Sequence, residues 1–212
     1  MKIVHVLTYW DAEGSYGGPI AVARSQCAEL AQRGHEVHLF TGWDGRAEIA
    51  VPGVSIHALP VRRLPKLGFA GLVSVPLWRR VREISRDADV VHLHFARDLV
   101  QLGAARAARR RPTVLQSHGM VHPDERLTAR VLDSVLTFPA MQEAAAHLAL
   151  TPHEADDIRA LASPATPHIA RIRNGTSLPV HRVRPAAASE RPVVTFLARL
   201  HQRKRPLAFL DM

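Results

Sequence analysis

Histidine side chains stand at the ends of two apolar segments that have the composition of buried strands. His92 and His94 alternate along the segment ADVVHLH, and His118 follows the segment PTVLQS and precedes Gly119. An imidazole next to a glycine at a strand end leaves room for a ligand and can donate a hydrogen bond to a hydroxyl or phosphate group. A plain structural turn at His118 remains the alternative.

The same histidines raise the question of a metal site. A zinc site needs a third convergent ligand besides His92 and His94, and either His118 or His122 is available for that place. No acidic residue or cysteine stands at a standard ligand spacing from them. We therefore favour imidazoles that face a substrate or are satisfied in the core over imidazoles that bind a metal ion.

A glycine-rich loop, GSYGGP, follows the first apolar segment and leads into a helical pattern. Backbone N–H groups of such a strand-to-helix loop can approach an anion at the positive end of the helix. The loop lacks both the GxGxxG spacing of dinucleotide enzymes and the GxxxxGK[ST] pattern of P-loops. An ordinary tight turn therefore remains open as an alternative.

A basic loop, ARLHQRKR, follows the last apolar segment and feeds a helical pattern. Arg199 and Lys204 in this loop have the charge and the position to hold a diphosphate. The alternative is a solvated basic loop.

Alternating strands and helices must position these groups. Apolar runs predict strands at residues 2–8, 36–41, 54–59, 88–94, 112–117, 169–172 and 193–197, with 144–150 as a further strand or a helix end. Helical spacing predicts helices at 20–33, 72–86, 99–110 and 126–137, from 152, and from 206. Thr151 is the predicted N-cap of the helix from 152, with Glu154 closing a capping box.

Strands that are apolar along their whole length and alternate with helices indicate a parallel sheet covered on both faces. The predicted fold class is therefore α/β, a doubly wound Rossmann-like sheet, in which ligands bind beyond the carboxyl ends of the strands. We predict one domain over residues 1–180 and a linker rich in Pro, Arg and Ala over 181–192. Residues 193–212 would then form the first strand and part of a helix of a second domain.

The composition fits a globular chain and excludes several classes. The 212 residues are 47% hydrophobic and 22% charged, which argues against long disorder. The single cysteine, Cys27, excludes an intrachain disulfide and a thiolate cage and fits a reducing compartment. The N-terminus has no signal-peptide pattern, and the apolar segment Leu67–Trp78 is too short to span a bilayer. We expect a cytoplasmic protein.

The net charge of +9 is concentrated in two zones: residues 61–130 carry +8 and 171–212 carry +7, against −2 for 1–60 and −4 for 131–170. This patchiness, the few aromatics and the absence of a recognition motif disfavour a nucleic-acid binder. The first zone flanks the apolar segment LGFAGLVSVPLW, and it predicts either contact with an anionic membrane surface or a buried segment with solvated cations. These cations are Arg62, Arg63, Lys66, Arg79, Arg80, Arg82 and Arg86.

The order of the motifs resembles the family 4 retaining glycosyltransferases (glycosyl transferases group 1), which have the GT-B fold. The likeness rests on the run GGPIAVARSQCAELAQRGHEVHLFT, the DVVH strand, the P-x-V-x-x-x-HG strand end, the segment LALTPHEADDIRAL and the turn Asn174-Gly175. The second domain of that family opens with a GRL…KG motif, which here has the sequence ARLHQRKRP. The likeness covers essentially the whole chain.

The resemblance implies two Rossmann-like domains that face each other across a cleft. The first would bind the acceptor and the second a nucleotide-activated sugar, whose diphosphate would be held by Arg199 and Lys204. Two positions depart from the motif: Ala198 replaces its first glycine and Arg205 replaces its last. Both departures bear on the shape of the predicted diphosphate loop.

The resemblance also implies roles for residues of the first domain. Gly17 and Gly18 correspond to loop glycines that approach the donor phosphates. His118 corresponds to the histidine that lines the reacting sugar and is the predicted catalytic residue. Tyr16 and His94 are candidates for the acceptor site. Retaining members generally need no metal, so neither a metal nor another cofactor is expected.

The predicted function is transfer of a sugar from a nucleotide-sugar donor to a glycan or lipid-linked acceptor. The setting would be bacterial synthesis of cell-surface polysaccharide or glycolipid, in the cytoplasm or on the inner face of the membrane. Family members are about twice as long, and we expect residues 1–212 alone not to transfer sugar. The alternatives are a non-enzymatic binding module that keeps acceptor or partner affinity, and another sugar-nucleotide enzyme such as an epimerase.

Overall fold

The chain divides into two compact units, Met1–Thr176 and Ser177–Met212. The computed structural model describes residues 1–10, 17–46, 48–124, 127–175, 193–198, 200 and 204–211. None of the helices in these ranges is both long and apolar enough to cross a lipid bilayer.

A parallel sheet forms the centre of the first unit. Its strands are β1 (Lys2–Trp10), β2 (Glu36–Trp43), β3 (Val54–Pro60), β6 (Val90–His94), β7 (Thr113–Gln116), β8 (Ala146–Ala149) and β9 (Ile169–Arg171). Two short strands, β4 (Arg62–Arg63) and β5 (Leu72–Val73), form a separate antiparallel pair. The order of the seven-stranded sheet is β3-β2-β1-β6-β7-β8-β9, and every pair in it is parallel.

This order confirms the predicted fold class. The chain builds outward from β1 to β3 and then crosses back, so that β6 pairs with the other side of β1. The connections leave β1 and β6 in opposite directions, and this is the topological switch point where doubly wound sheets bind ligands. The short segment at 144–150, which the sequence left open, is strand β8.

Helices connect the strands of the sheet. They are α1 (Gly17–Gln32), α2 (Val75–Ile84), α3 (Leu99–Ala108), α4 (Leu127–Leu132), α5 (Phe138–Glu143) and α6 (Pro152–Ala162). The side chains of Ser74, Asp98 and Thr151 accept N-terminal N–H groups of α2, α3 and α6, respectively. Such caps satisfy donors that a helix start would otherwise leave unpaired. The predicted cap at Thr151 is therefore confirmed.

Two apolar layers cover the sheet. On one face, Val6, Leu93 and Leu115 belong to a cluster that includes residues of α2, α3, α5 and α6. On the other face, Leu7 packs in a second cluster with Cys27 of α1. Because successive side chains of a strand point to opposite faces, β1 and β2 contribute to both layers, whereas β6 and β7 contribute apolar side chains only to the first.

The helix predicted as one piece at 126–137 has a wide turn in its path. Residues Asp133–Thr137 are a π-helical turn between α4 and α5, in which the N–H of Phe138 donates to the carbonyl of Asp133. Pro139 follows directly; it has no N–H and cannot continue regular α-helical bonding. The β4–β5 pair was not predicted, because two-residue strands are too short to show an alternating pattern.

The second unit contains helix α7 (Pro206–Leu210), which begins at the predicted residue. The strand predicted at 193–197 is not formed: these residues have no regular structure. A strand needs a neighbour for its backbone hydrogen bonds, and the described part of this unit offers none. The predicted linker at 181–192 lies outside the described residues, and the predicted division into domains stays a prediction.

Candidate functional site

The candidate site lies at the carboxyl edge of the central strands. β7 ends at Gln116, and the next residues form a tight turn in which Met120 N donates to the Ser117 carbonyl at 2.8 Å. His118 and Gly119 both adopt positive φ angles, of 51° and 69°. The left-handed conformation costs a non-glycine residue about 1–2 kcal/mol. Contacts around the turn must therefore hold His118 in this conformation.

Glu154 supplies those contacts from the first turn of α6. Its Oε1 atom accepts hydrogen bonds from Ser117 Oγ and from Gly119 N, both at 2.6 Å. Its Oε2 atom accepts from Leu150 N at 2.7 Å, and the residue is only 4% exposed. The predicted capping box is thus wrong in its second half, because the carboxylate bonds to Leu150 and the turn. This carboxylate fixes the strand end that carries His118.

A row of three imidazoles runs from the core to this turn. His5 Nδ1 lies 3.3 Å from His94 Nε2, and His94 Nδ1 lies 2.9 Å from His118 Nε2. Burial holds the pKa of His5 and His94 well below the usual value and lowers the pKa of His118 to about 4. The imidazoles are therefore neutral at pH 7, and each has one donor and one acceptor nitrogen. The tautomer of one ring therefore decides which nitrogen of the next ring donates and which accepts.

His92 stands beside this row. It pairs with His5 across β1 and β6, and its ring stacks on that of His94 at 4.8 Å between centroids and 19° between planes. Burial lowers the pKa of His92 to about 4. The Nε2 atoms of His5 and His92 are buried and have no hydrogen-bond partner among the described residues.

His5, His92 and His94 are also the described residues that come nearest to a metal-binding group. One nitrogen from each lies within 4.8 Å of the others. The lone pair of an imidazole nitrogen lies in the ring plane, so the stacked rings of His92 and His94 do not aim at one point. A tetrahedral ion would require the rings to turn and the His5–His94 bond to break. The absence of a metal requirement stays a prediction.

A buried carboxylate joins the ends of β1 and β6. Asp98 Oδ2 accepts from Thr8 Oγ1 at 2.8 Å, and Asp98 Oδ1 accepts from Gln101 N at 3.0 Å. Burial raises the pKa of Asp98 to about 7, although hydrogen bonds from Gln101 and Thr8 oppose this shift. The loop after β6 is tied down a second time, because Arg97 Nε donates to the buried Asp133 at 2.7 Å.

The glycines predicted to approach the donor phosphates begin α1. Gly17 and Gly18 form its first turn, so they belong to the helix rather than to a preceding loop, and the helix starts earlier than predicted. Gly18 is exposed, and a Cβ atom added there would meet nothing within 4 Å. The start of α1 thus presents its backbone N–H groups at the carboxyl edge with open space beside Gly18.

The other predicted site residues lie in different parts of the chain. Tyr16 and Arg199 lie outside the described residues. Lys204 is exposed in the second unit. His94, a predicted acceptor-site residue, is 1% exposed, and its two ring nitrogens contact His5 and His118. Its side chain therefore positions His118 and has no ring nitrogen left to bind an acceptor. The metal alternative through His122 finds no support in its placement, since this residue is exposed and outside the histidine group.

Sequence reasoning missed two residues of the site. Glu154 was assigned to a helix cap, although its spacing after Thr151 could not reveal that the turn at His118 lies against it. His5 lies in an apolar run, and its position opposite His92 depends on the pairing of β1 with β6. In both cases the missing information is a contact between segments far apart in sequence.

A family model described as "Glycosyl transferase 4-like domain" matches residues 17–175. No curated protein matches the chain. Similar solved structures include HepE from Anabaena in complex with UDP, which is 18% identical with a TM-score of 0.55. This match covers 83% of the present chain and 44% of HepE.

A UGT transferase from Siraitia grosvenorii in complex with UDP is 13% identical with a TM-score of 0.52, covering 85% of this chain and 52% of that one. The chain therefore spans about half the length of these structures or less. The likeness shows the fold, a Rossmann-like half of a GT-B arrangement. Since the family model covers most of the residues, the chain belongs to the family defined by the glycosyl transferase 4-like domain.

Proposed function

We propose that this chain is the acceptor-side part of a retaining glycosyltransferase that uses a nucleotide-sugar donor. The observation that carries the proposal is the strained turn at His118, which Glu154 holds rigidly at the carboxyl edge of the sheet. Strain at such a place is typical of functional sites, because surrounding contacts must maintain it. The UDP complexes of HepE and of the Siraitia enzyme support the class of donor.

His118 would act as a neutral imidazole. Its pKa of about 4 keeps it uncharged at pH 7, and its Nε2 atom is engaged by His94. Nδ1 is then the nitrogen that can face a hydroxyl of the sugar or the acceptor. A neutral imidazole fixed in one orientation positions a hydroxyl without adding a charge that the site must solvate.

In the first unit, the first turn of α1 at Gly17 and Gly18 would contact the donor diphosphate. The contribution of Arg199 and Lys204 stays a prediction from the sequence. Positive charge and helix N–H groups near the leaving diphosphate would stabilise the charge that develops there. The leaving phosphate itself would accept the proton of the acceptor hydroxyl, with no metal ion. A non-enzymatic binding module is not favoured by the family match.

The test is the substitution His118→Ala in a version of the protein joined to a complete donor-binding domain. We expect kcat to fall by at least about tenfold while the donor Kd changes little, because the interaction acts on the reacting groups. His153→Ala, on the exposed start of α6, is the matched control. An unchanged kcat would remove His118 from the mechanism. The expectation that residues 1–212 alone do not turn over a sugar nucleotide stays a prediction.

We also propose that the acceptor is a glycan or is lipid-linked, and that the protein works at the cytoplasmic face of an anionic membrane in surface polysaccharide or glycolipid synthesis. Much of the apolar segment 67–78 is core, since Leu72 and Leu77 are at most 2% exposed. Leu64 and Leu67, however, are 40% and 48% exposed in the loop that joins β4 and β5. The neighbouring cations Arg62, Arg63 and Lys66 are exposed as well.

Co-sedimentation with vesicles tests this membrane contact. The protein should bind vesicles that contain anionic lipid and not neutral vesicles, because each surface cation contributes about 1 kcal/mol. Leu64→Ser with Leu67→Ser should reduce the bound fraction. Equal partitioning into anionic and neutral vesicles would refute the membrane contact without bearing on His118.

A further inference from the structure

A large groove lies between α2 and α3, and His118 is not among the residues that line it. Its volume is about 830 Å³, within the size range of small-molecule sites. Apolar side chains line part of it, including Trp78 and Leu102, and seven arginines line the rest.

The two kinds of lining residue are concentrated at opposite ends of the groove, although Arg79 lies beside Trp78 in the first half of α2. α3 follows β6 and returns to the start of β7, so it runs from the carboxyl edge to the amino edge. α2 follows the β4–β5 pair but runs in the same direction: Ser74, just before it, donates to the Pro60 carbonyl at the end of β3, and the chain enters β6 soon after α2 ends. Val75, Trp78, Leu99 and Leu102 come from the first halves of the helices. Arginines dominate the second halves and the residues just after them: Arg82, Arg86, Arg106, Arg109, Arg110 and Arg111.

Two of the arginines that line the groove interact electrostatically with a carboxylate, Arg86 with Glu83 and Arg111 with Asp87. The ion pairs found among the described residues include none of the arginines that line the groove. Arg80 on α2 pairs with Glu83 at 2.7 Å, but Arg80 does not line the groove. The negative ends of the two helices offset part of this positive charge. The remainder is available to an anion.

A buried hydroxyl at the cationic end also lacks a partner. Ser85 lines the groove and is 3% exposed, and its Oγ atom has no hydrogen bond to any described residue. Buried polar groups are nearly always hydrogen-bonded in folded proteins. An oxygen of a bound ligand would satisfy this hydroxyl.

The apolar end has a rigid floor. Trp78 Nε1 donates to the Val100 carbonyl at 3.1 Å, which fixes the indole across α3. The ring packs against Gly103 so closely that a Cβ atom at this position would overlap it. The indole therefore presents a fixed apolar surface along the groove.

We propose that this groove binds one anionic amphiphile, a hydrocarbon chain that ends in a phosphate group. The phosphate lies among Arg82, Arg86, Arg106 and Arg109 and accepts the hydrogen bond of Ser85. Arginine suits this role because its planar fork matches two phosphate oxygens. The hydrocarbon chain lies along Trp78 towards the carboxyl edge. The phosphate is then at the edge of the sheet opposite to His118, so this ligand is distinct from a reacting acceptor, and the proposal goes beyond the transferase function.

Calorimetric titration of the 212-residue protein with monomeric n-dodecyl phosphate, below its micelle concentration, tests the proposal. We expect saturable binding of one molecule, tighter than for inorganic phosphate and for the uncharged n-dodecyl maltoside. Arg106→Gln with Arg109→Gln should weaken binding by at least about tenfold, since hydrogen bonds to charged groups are strong. The matched control, Arg33→Gln with Arg159→Gln, removes the same charge from exposed sites outside the groove.

Each result decides the matter. If both double variants weakened binding equally, the total charge of the protein would explain the binding, and the proposed site would be refuted. Equal affinity for inorganic phosphate would remove the role of the apolar end, and absence of saturable binding would refute the proposal. If the double variant does not fold, Ser85→Ala serves in its place, with an expected weakening of roughly two- to tenfold. None of these results depends on glycosyl transfer.

Discussion

The two faces of the central strands differ sharply in what they bury. On the side of α2 and α3, Val6, Leu93 and Leu115 are at most 2% exposed in an aliphatic layer. On the other side, the same strands carry His5, His94 and Gln116, which are equally buried. One face can thus stabilise the fold while the other holds polar groups in fixed positions.

This difference teaches where stability and function separate. Aliphatic burial contributes favourable free energy in proportion to the area removed from water. Buried imidazoles contribute little of this favourable free energy, and burial removes the water that would solvate their charged form. The net stability of the fold must therefore come mainly from the aliphatic side chains on the opposite face. We call the face with Val6, Leu93 and Leu115 the aliphatic face and the face with His5, His94 and Gln116 the histidine face. Acid should lower the free energy of unfolding mainly through the histidine face, and shortening side chains should lower it mainly on the aliphatic face.

Acid should produce the largest effect. The pKa values of His92 and His118 are lowered to about 4 from 6.5, so the unfolded chain binds more protons than the folded one between these values. Stability from such groups is fully present above the unfolded pKa and is lost as pH falls through this window. For each such group, the free energy of unfolding falls by about 1.4 kcal/mol for every unit by which the pH drops within this window. We expect the free energy of unfolding, measured with urea, to fall by several kcal/mol from pH 7 to pH 5.

A matched pair of variants isolates the histidine face. His92→Gln should make the dependence on pH shallower by about 1.4 kcal/mol per pH unit, because an amide stays neutral. His168→Gln, at an exposed position, should leave the slope as it is. Equal slopes for His92→Gln and the unsubstituted protein would contradict the assignment.

Truncation of the aliphatic face should come next. Leu93→Ala removes a fully buried side chain and should cost about 2–5 kcal/mol, since the lost transfer energy adds to the cavity left behind. Leu67→Ala, at a position that is 48% exposed, should cost less than about 0.5 kcal/mol. Urea unfolding at pH 7 measures both. Similar costs would mean that the aliphatic layer is not the main source of stability.

The sequence predicted the aliphatic face much better than the polar one. Runs such as KIVHVLT and PTVLQS carry the apolar pattern of buried strands within single segments, so the strands and their parallel arrangement could be predicted. The fold class followed from that pattern. The row from His5 to His118 could not be predicted, because it depends on which strands are neighbours and on their register.

Element ends show the same limit. The glycine-rich run before the helical pattern predicts a loop at Gly17 and Gly18, yet the helix begins with them. The π-helical turn at Asp133–Thr137 begins at the residue that forms the buried ion pair with Arg97, a contact that the sequence alone does not show. The sequence predicts Glu154 only as part of a helix cap, because its spacing from Thr151 fits that role. Its contact with the turn at His118 depends on two segments that are far apart in sequence. Local patterns reveal propensity, whereas these features are decided by tertiary contacts.

Loss of the carboxylate that holds the turn should have an intermediate effect. Glu154→Gln replaces one acceptor oxygen with a donor that faces other donors, at Ser117, Gly119 or Leu150. We expect a loss of about 1–3 kcal/mol in the free energy of unfolding. Glu143→Gln, on the exposed end of α5, should change stability by less than about 0.5 kcal/mol. An effect of Glu154→Gln no larger than that of the control would show that the turn does not depend on this residue.

At pH 7 the smallest effect should come from Asp98, because burial raises the pKa of this carboxyl group to about 7. Asp98→Asn keeps an oxygen for Gln101 N and a polar group for Thr8, so we expect a change below about 1 kcal/mol at pH 7. Asp98→Ala removes the N-cap of α3 and should cost about 1–2 kcal/mol. The sign of the pH dependence is opposite to that of the histidines. The pKa of Asp98 is raised from 3.8 to about 7, so the folded state binds the extra proton and the native residue loses stability as pH rises between these values.

Asp98→Asn cannot ionise, and its stability relative to the unsubstituted protein should therefore improve from pH 4 to pH 7 and level off above that. Urea unfolding of the two proteins across this range measures the difference. A constant difference would mean that Asp98 is ionised in the folded protein throughout. Asp98 would then contribute nothing to the pH dependence of stability over this range, and the acid response of the buried histidines would meet no opposing contribution from this carboxyl group.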